Sequence, residues 1–552
     1  MSTVVAQPGV GQQREDLAHL KAFTVFTLRR NWVRFLVWTL IIVGMLGFIA
    51  SYYQQMFTDP KELQLFIDTV HSPAMLAMVG IISNPTSIAG AVWCKFWMFG
   101  SLMFAIGVMF LMTRNLRADE DQGRAELVRS YPLGIHSRLA AAVINMTVLS
   151  VVVGVLSGAV LASMNLTDAA DAAQGAFVLG LSITGMGLLG VGVGALVNEL
   201  SPSSGAANGT GAAIFAVFYL LRMVGDMNTT WTLDAPPAGW GLGLTWVSPI
   251  GWGQLMDPWG ANRWYPLVFI LALTVILVGV AWLVQARRDL GASLARARVG
   301  KADASALTTT VWGLGLRLQR SSLIGWFIGV IVFGGALGSV IGNMADLLKN
   351  LPIADTMNGL DSVMGVLFVP MLALVVGVFA AQSATMMRSD EAHGVLESQL
   401  GTSVGRVSWA LQRLAVTVGA VIVMLLVVGL IMGSSYDALV PGEGKLAAVV
   451  GAYFVYLPSV LLLAAIFMLG FGWWPRYAVA VTWIVVGALW AFMIIGLALK
   501  IPEAVLNLMP FNVMAHVPAE PMDWVPFAVM SVITIGLTVV GLIGFRRRNI
   551  PA

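Results

Sequence analysis

Cysteine is nearly missing from this chain: among 552 residues there is only Cys94. One thiol can build neither an internal disulfide framework nor a thiolate metal cluster, which excludes the stapled secreted scaffolds and the zinc-ribbon classes. Charge is scarce too. Asp, Glu, Lys and Arg make up 11% of the residues and hydrophobic types 58%, whereas soluble domains carry about a quarter charged residues. Histidine is limited to His19, His71, His136, His393 and His516. They are scattered, with no H-E-x-x-H and no metal-ligand spacing. A phosphate loop is also missing, since cradling phosphate requires G-x-x-x-x-G-K-[ST]. The two Gly-Lys pairs continue into Ala302 and Leu446. The first thirty residues lack a short apolar core before a small-residue cleavage site, so the reading predicts no cleaved signal peptide and a first span that inserts the protein.

What the chain does have is apolar runs. Mean hydropathy is +0.84, and segments of 18 or more apolar residues recur from end to end, each long enough to cross a hydrocarbon core of about 30 Å as a helix. The pattern predicts an all-α polytopic membrane protein with twelve transmembrane helices, the first at 32–53, the eleventh at 477–499 and the last at 524–545. Placing the N-terminus inside puts all but seven of the 31 basic residues on cytoplasmic segments, as the positive-inside rule requires. Both termini are then cytoplasmic and the protein is multi-pass in the cytoplasmic membrane. The net charge of +3 reflects this topology and contact with anionic lipid, and nucleic acid is not an expected partner.

The chain reads as two halves. Leu28-Arg29-Arg30 running to Trp38 matches Leu316-Arg317-Leu318 running to Trp326, and Arg287-Arg288 after the sixth run matches Arg546-Arg547-Arg548 after the twelfth. Six spans per half is an even number, so the repeats are parallel, related by an axis along the membrane normal. The expected divisions are 1–286, a first six-helix half; 287–321, a cytoplasmic linker ending in an interfacial helix at 306–317; and 322–552, the second half. Residues 17–30 are expected as a matching interfacial lead-in helix on the inner leaflet. Tryptophans between 226 and 264 suggest short interfacial pieces at the outer mouth. Lys95, Arg222 and Asp226 are expected to snorkel to the outer interface. Glycine pairs such as Gly154 and Gly158 are read as close-packing seams.

The most specific match lies in two charged connections. Residues 117–126 and 388–397 both read R-x-D-E-x-x-G-x-x-E. In a helix Glu120, Gly123 and Glu126 fall at i, i+3 and i+6 along one side, as do Glu391, Gly394 and Glu397. A small residue between two carboxylates would let a partner backbone approach while the acids accept hydrogen bonds. A merely solvated loop predicts no such match between halves.

A charged loop of this kind between the second and third spans of a six-span unit, followed by a small or apolar turn and then Arg138 or Arg406, resembles the membrane (permease) subunits of type-2 ABC exporters. The layout is similar to the fused two-half permeases of actinobacterial tetronasin and polyketide antibiotic exporters. The resemblance implies that both loops are coupling helices seated on separate ATPase subunits, two copies or a pair, which would carry ATP and Mg. So little charge within the spans suits a hydrophobic or amphipathic small-molecule cargo, and the missing catalytic and phosphate-loop motifs predict no enzyme activity on this chain itself. The second copy is three residues shorter and lacks the Pro132 of the first. Two other classes compete. A twelve-helix secondary multidrug transporter would want membrane-embedded titratable groups in a relay, and a polytopic enzyme would want paired acids near the membrane, for which only Asp119-Glu120-Asp121 and Asp390-Glu391 are dense enough.

Overall fold

Apolar runs with few internal breakers become helices because, in lipid, every backbone amide and carbonyl has to be satisfied within its own segment. A computed structural model describes residues 16–57, 87–167, 172–232, 235–287, 310–348, 360–392, 394–439, 444–495 and 509–549, with positions 63, 64, 66, 76, 79 and 80 between the first two stretches. The chain divides into two compact units, residues 1–299 and 300–552.

In the first unit α1 (Leu20–Met56) is followed by α2 (Ile88–Asp121), the short α3 (Arg124–Arg129), α4 (Ser137–Ala162), α5 (Ala172–Leu200) and α6 (Ser204–Met227). A two-stranded antiparallel hairpin, β1 (Thr230–Thr232) and β2 (Ala235–Ala238), then leads to α7 (Gly241–Val247), α8 (Pro249–Gln254) and α9 (Pro266–Ala286). The second unit runs α10 (Val311–Leu348), α11 (Leu360–Ala392), α12 (Val395–Leu400), α13 (Arg406–Leu439), α14 (Leu446–Trp473), α15 (Ala478–Ile495) and α16 (Trp524–Arg547).

Among the described residues eleven helices are long and apolar enough to cross a membrane. The eleventh expected span, 477–499, appears as the shorter α15, and its last residues lie outside the described set. The protein is therefore all-α in its spans and polytopic.

Two departures concern how each unit opens. Among the described residues no separate helix precedes the first span: residues 20–30 are the first turns of α1, a single helix of 37 residues. No glycine or proline interrupts Leu20–Val43, so nothing ends the helix at the expected boundary. At about 1.5 Å per residue α1 is about 55 Å long, well over the hydrocarbon thickness. The second unit behaves alike, its 38-residue α10 absorbing residues 311–321. Most of the expected linker, 288–309, lies outside the described residues.

Within each unit the same neighbours meet. The first long helix packs on the third (α1 on α4, α10 on α13), and the last on the fourth (α9 on α5, α16 on α14). The second and fourth spans form the core of each unit, and the first and last turn large apolar side chains such as Val275 and Val532 outward. The α4–α5 seam has its backbones in contact: a β-carbon on Gly154 would overlap the Gly180 carbonyl, as the glycine pattern predicts. Both second spans contain a π-helical stretch, at Trp97–Ser101 in α2 and Val363–Phe368 in α11.

Candidate functional site: the paired charged connections

Each second span ends in the repeated motif, and each motif turns at its glycine. Gly123 has φ 69° and Gly394 φ 71°. A β-carbon at either would meet nothing within 4 Å, so the requirement is backbone conformation and not space. A residue with a side chain pays about 1–2 kcal/mol in this left-handed region. The turn ends one helix and begins another. Gly123 N donates to Glu120 O at 3.0 Å and Gly394 N to Glu391 O at 3.2 Å, after which α3 and α12 start.

This corrects the expectation that the three motif residues share one side of a continuous helix. The glycine separates the acids into two kinds. Glu120 and Glu391, before the turn, have side chains only 7% and 3% exposed. Glu126 and Glu397, after it, are exposed.

The buried acids are ion-paired in parallel ways. Arg117 Nη1 reaches Glu120 Oε2 at 3.0 Å, and Arg388 Nη1 reaches Glu391 Oε2 at 3.0 Å. The second cation differs. For Glu120 it is Arg138, at 3.3 Å, whose other nitrogen donates to Leu116 O at 2.9 Å, where α2 is interrupted. For Glu391 it is Arg548, which holds the carboxylate through two nitrogens at 2.8 and 2.9 Å. Arg406, which follows the second motif as Arg138 follows the first, makes no ion pair there. Its Nη1 donates to Arg548 O at 2.8 Å, satisfying a carbonyl at the end of α16.

The middle acids are tied inward as well. Asp119 takes Arg30 of α1 at 2.8 Å and Arg124 at 3.0 Å, and Asp390 takes Arg413 of α13 at 2.6 Å. Asp121 accepts from Ser204 N at 2.6 Å, and Arg117 donates to Pro202 O at 2.7 Å, so the Ser-rich turn between α5 and α6 supports the first motif. Sequence reasoning missed Arg30, Arg413 and Arg548 as members of the site, reading them as topological charge. The R-x-x-E spacing inside each motif was the available signal for the Arg117 and Arg388 pairs.

Beyond the first motif, Gly134 N donates to Ala18 O and His136 N to Asp16 O, at 3.2 and 3.1 Å. A β-carbon on Gly134 would overlap the Asp16 carbonyl oxygen. The N-terminal segment lies directly across this turn, and only glycine leaves room for it. His136 stacks on Trp282 and bonds Gln285 at 2.9 Å, which brings the end of α9 to the same place.

The outward faces of the two short helices differ. Leu127 and Tyr131 are 72% and 73% exposed. In the second copy the position matching Leu127 is Ser398, also exposed, and Leu396 is buried.

At the opposite end of α6 the snorkelling expectation fails for two residues. Arg222 and Asp226 are fully buried and paired at 3.0 Å. Thr245 and Gln254 complete the shell of Asp226 at 2.7 and 3.1 Å. The segment after α6 folds back as α7 and α8 and covers the pair, which removes any need to reach an interface. Lys95 is exposed.

The eleven long apolar helices among the described residues define a polytopic membrane protein. A family model described as the C-terminal domain of the multidrug efflux system permease Rv1217c matches residues 308–546. The multidrug efflux system permease protein Rv1217c of Mycobacterium tuberculosis is 31% identical over 535 residues, 95% of this chain and 94% of that protein. The chain belongs to the family of that permease.

Proposed function

We propose that the chain is the membrane subunit of an ATP-driven ABC exporter in fused two-half form, moving hydrophobic or amphipathic compounds, drug-like, antibiotic-like or lipid-like, out across the cytoplasmic membrane. Residues 1–286 and 322–552 are its parallel six-helix halves, joined by the 287–321 linker, with both termini and both motifs on the cytoplasmic side. ATP and Mg are bound by a pair of separate ATPase subunits, one at each motif. Family membership supports the transport role, and the recurring helix neighbours and the two π-helical stretches support the repeat.

One observation carries the docking assignment. In both units a glycine at positive φ turns the chain so that one glutamate is sealed inside and the next is presented on a short helix. Twice-built presentation of a carboxylate suits a basic partner groove. Leu127 and Tyr131 beside Glu126 add apolar area of the kind that marks a protein contact. Gly123 and Gly394 set the turn, Glu126 and Glu397 are the contacts, and Glu120, Arg138, Glu391 and Arg406 hold the connection to the spans.

The test is co-purification of the chain with its ATPase, together with ATP-driven efflux in vesicles. Glu126→Ala with Glu397→Ala is expected to release the ATPase and abolish efflux from a correctly folded protein. Unchanged association overturns the docking assignment. Uncoupler-sensitive, ATP-independent transport by the wild type would instead make this a secondary transporter.

A further inference from the structure

The second buried glutamate is held by the end of the chain itself. Arg548 is 12% exposed; its Nη2 donates to Glu391 Oε2 at 2.9 Å and its Nη1 lies in ion-pair contact with Oε1 at 2.8 Å. Its guanidinium also lies 4.6 Å from the Phe471 ring and 5.2 Å from the Phe545 ring, which stack on each other at 5.1 Å. Arg406 fixes the Arg548 carbonyl at 2.8 Å, and Trp409 Nε1, three residues on, donates to Gln399 of α12 at 2.6 Å. Phe545 packs against Trp409 as well. The residue just after α16 is thus enclosed by α11, α13 and α14 at the root of the second motif.

The first motif is built otherwise. There the matching carboxylate, Glu120, takes its second cation from Arg138, on the helix that directly follows the loop. Among the described residues, the end of the first unit's last helix reaches the region through Gln285, bonded to His136, and Trp282, stacked on it. The matching glutamates therefore take a cation from the third span in one unit and from the end of the last span in the other, while Arg413 of α13 holds Asp390 in the second unit as well.

We propose that Arg548 is a positioning residue for transport: it ties α16, in addition to the α13 that follows the loop, to the second docking element. This rests on the docking reading above. A guanidinium that donates to one carboxylate oxygen, stays within ion-pair distance of the other and lies against two rings fixes orientation as well as distance, which a single ammonium cannot do. Movement of α12 would then be delivered to the α16–α14 packing, where Gly541 meets the Met468 backbone and Gly472 the Gly541 carbonyl.

The experiment uses the full chain co-purified with its ATPase and compares Arg548→Gln, Arg548→Lys, Glu391→Gln and the Glu391→Gln/Arg548→Gln double variant. Readouts are ATPase association, basal and substrate-stimulated hydrolysis, efflux, and amide exchange of residues 394–402. Arg548→Gln is expected to keep the ATPase bound, because Glu126 and Glu397 are untouched. The ratio of substrate-stimulated to basal hydrolysis, and efflux per bound ATPase, should fall on the order of tenfold, the usual size of coupling between sites. Exchange across α12 should rise. Arg548→Lys should recover part of the loss, and the double variant should be no worse than Arg548→Gln alone.

Wild-type efflux and stimulation in Arg548→Gln overturn the proposal, as do additive losses from the two single substitutions. If Arg548→Gln fails to fold because Glu391 loses its main partner, the double variant removes both charges. Full coupling in a folded double variant would reduce the pair to a structural contact and also overturn the proposal. Failure of the docking reading looks different: the wild-type chain itself would not bind the ATPase.

Discussion

At the scale of single residues, burial sorts the repeated acids by consequence. Removing Glu120 leaves Arg117 and Arg138 without their shared partner in a nearly closed environment. Breaking a buried pair from one side costs about 3–5 kcal/mol. Glu120→Ala is therefore expected to lower the melting temperature of the detergent-solubilised protein by several degrees, and Glu126→Ala to leave it within about a degree, as surface substitutions usually do. Arg222 and Asp226 follow the same logic at the other end of α6. Asp226→Asn should destabilise strongly, whereas Arg222→Met with Asp226→Asn should recover much of the loss, because no charge is left buried alone. A melt in which the double variant is worse than the single one would sink that account. Which acid faces inward was not legible in the sequence. The deciding partners are far along the chain: Arg30 is 89 residues from Asp119, and Arg548 is 157 from Glu391.

At the scale of elements, the connections were more legible in place than in shape. The motif spacing located both of them correctly between second and third spans. Treating the acids as one helical stripe ignored what glycine does after an acidic helix end: at φ near 70° it stops the helix and restarts it in a new direction. Gly394→Ala should cost about 1–2 kcal/mol in the turn and weaken ATPase binding more than it lowers the melting temperature. Equal binding by Gly394→Ala and wild type would argue against the turn's role. The two docking faces also predict unequal strength. Tyr131→Asp in the first, which loses apolar contact, should reduce ATPase co-purification more than Thr402→Asp in the polar second. The π-helical stretches in α2 and α11 had no sequence signal. An extra residue in a helical turn is set by how neighbouring side chains pack, and the apolar runs around Trp97 and Val363 read as ordinary spans.

At the scale of the whole molecule, hydropathy placed the eleven long helices of the described residues in order, where twelve spans were expected, because length and apolar content are local properties. Each unit has its own core, built around its second and fourth spans. Cutting the chain within 288–309, by an inserted protease site, should therefore leave two folded fragments that remain active together. Loss of ordered structure in either fragment by circular dichroism would show that the cores depend on the covalent link. Orientation is checkable with little background, since Cys94, the only thiol in the sequence, is buried. Cysteines placed at 126 and 397 should react with a membrane-impermeant maleimide in inside-out vesicles and not in whole cells.

The close passage of residues 16–18 over Gly134 has a practical consequence. A peptide inserted directly before Asp16 would pull on backbone that is hydrogen-bonded to the connection after the first motif. One inserted directly after Arg548 would begin beside the arginine that clasps Glu391. Neither position is a neutral handle for purification or imaging. A fluorescent or affinity insertion at one of them should disturb chiefly the motif of that same unit, so versions differing only in which position carries the label are themselves a comparison of the two connections.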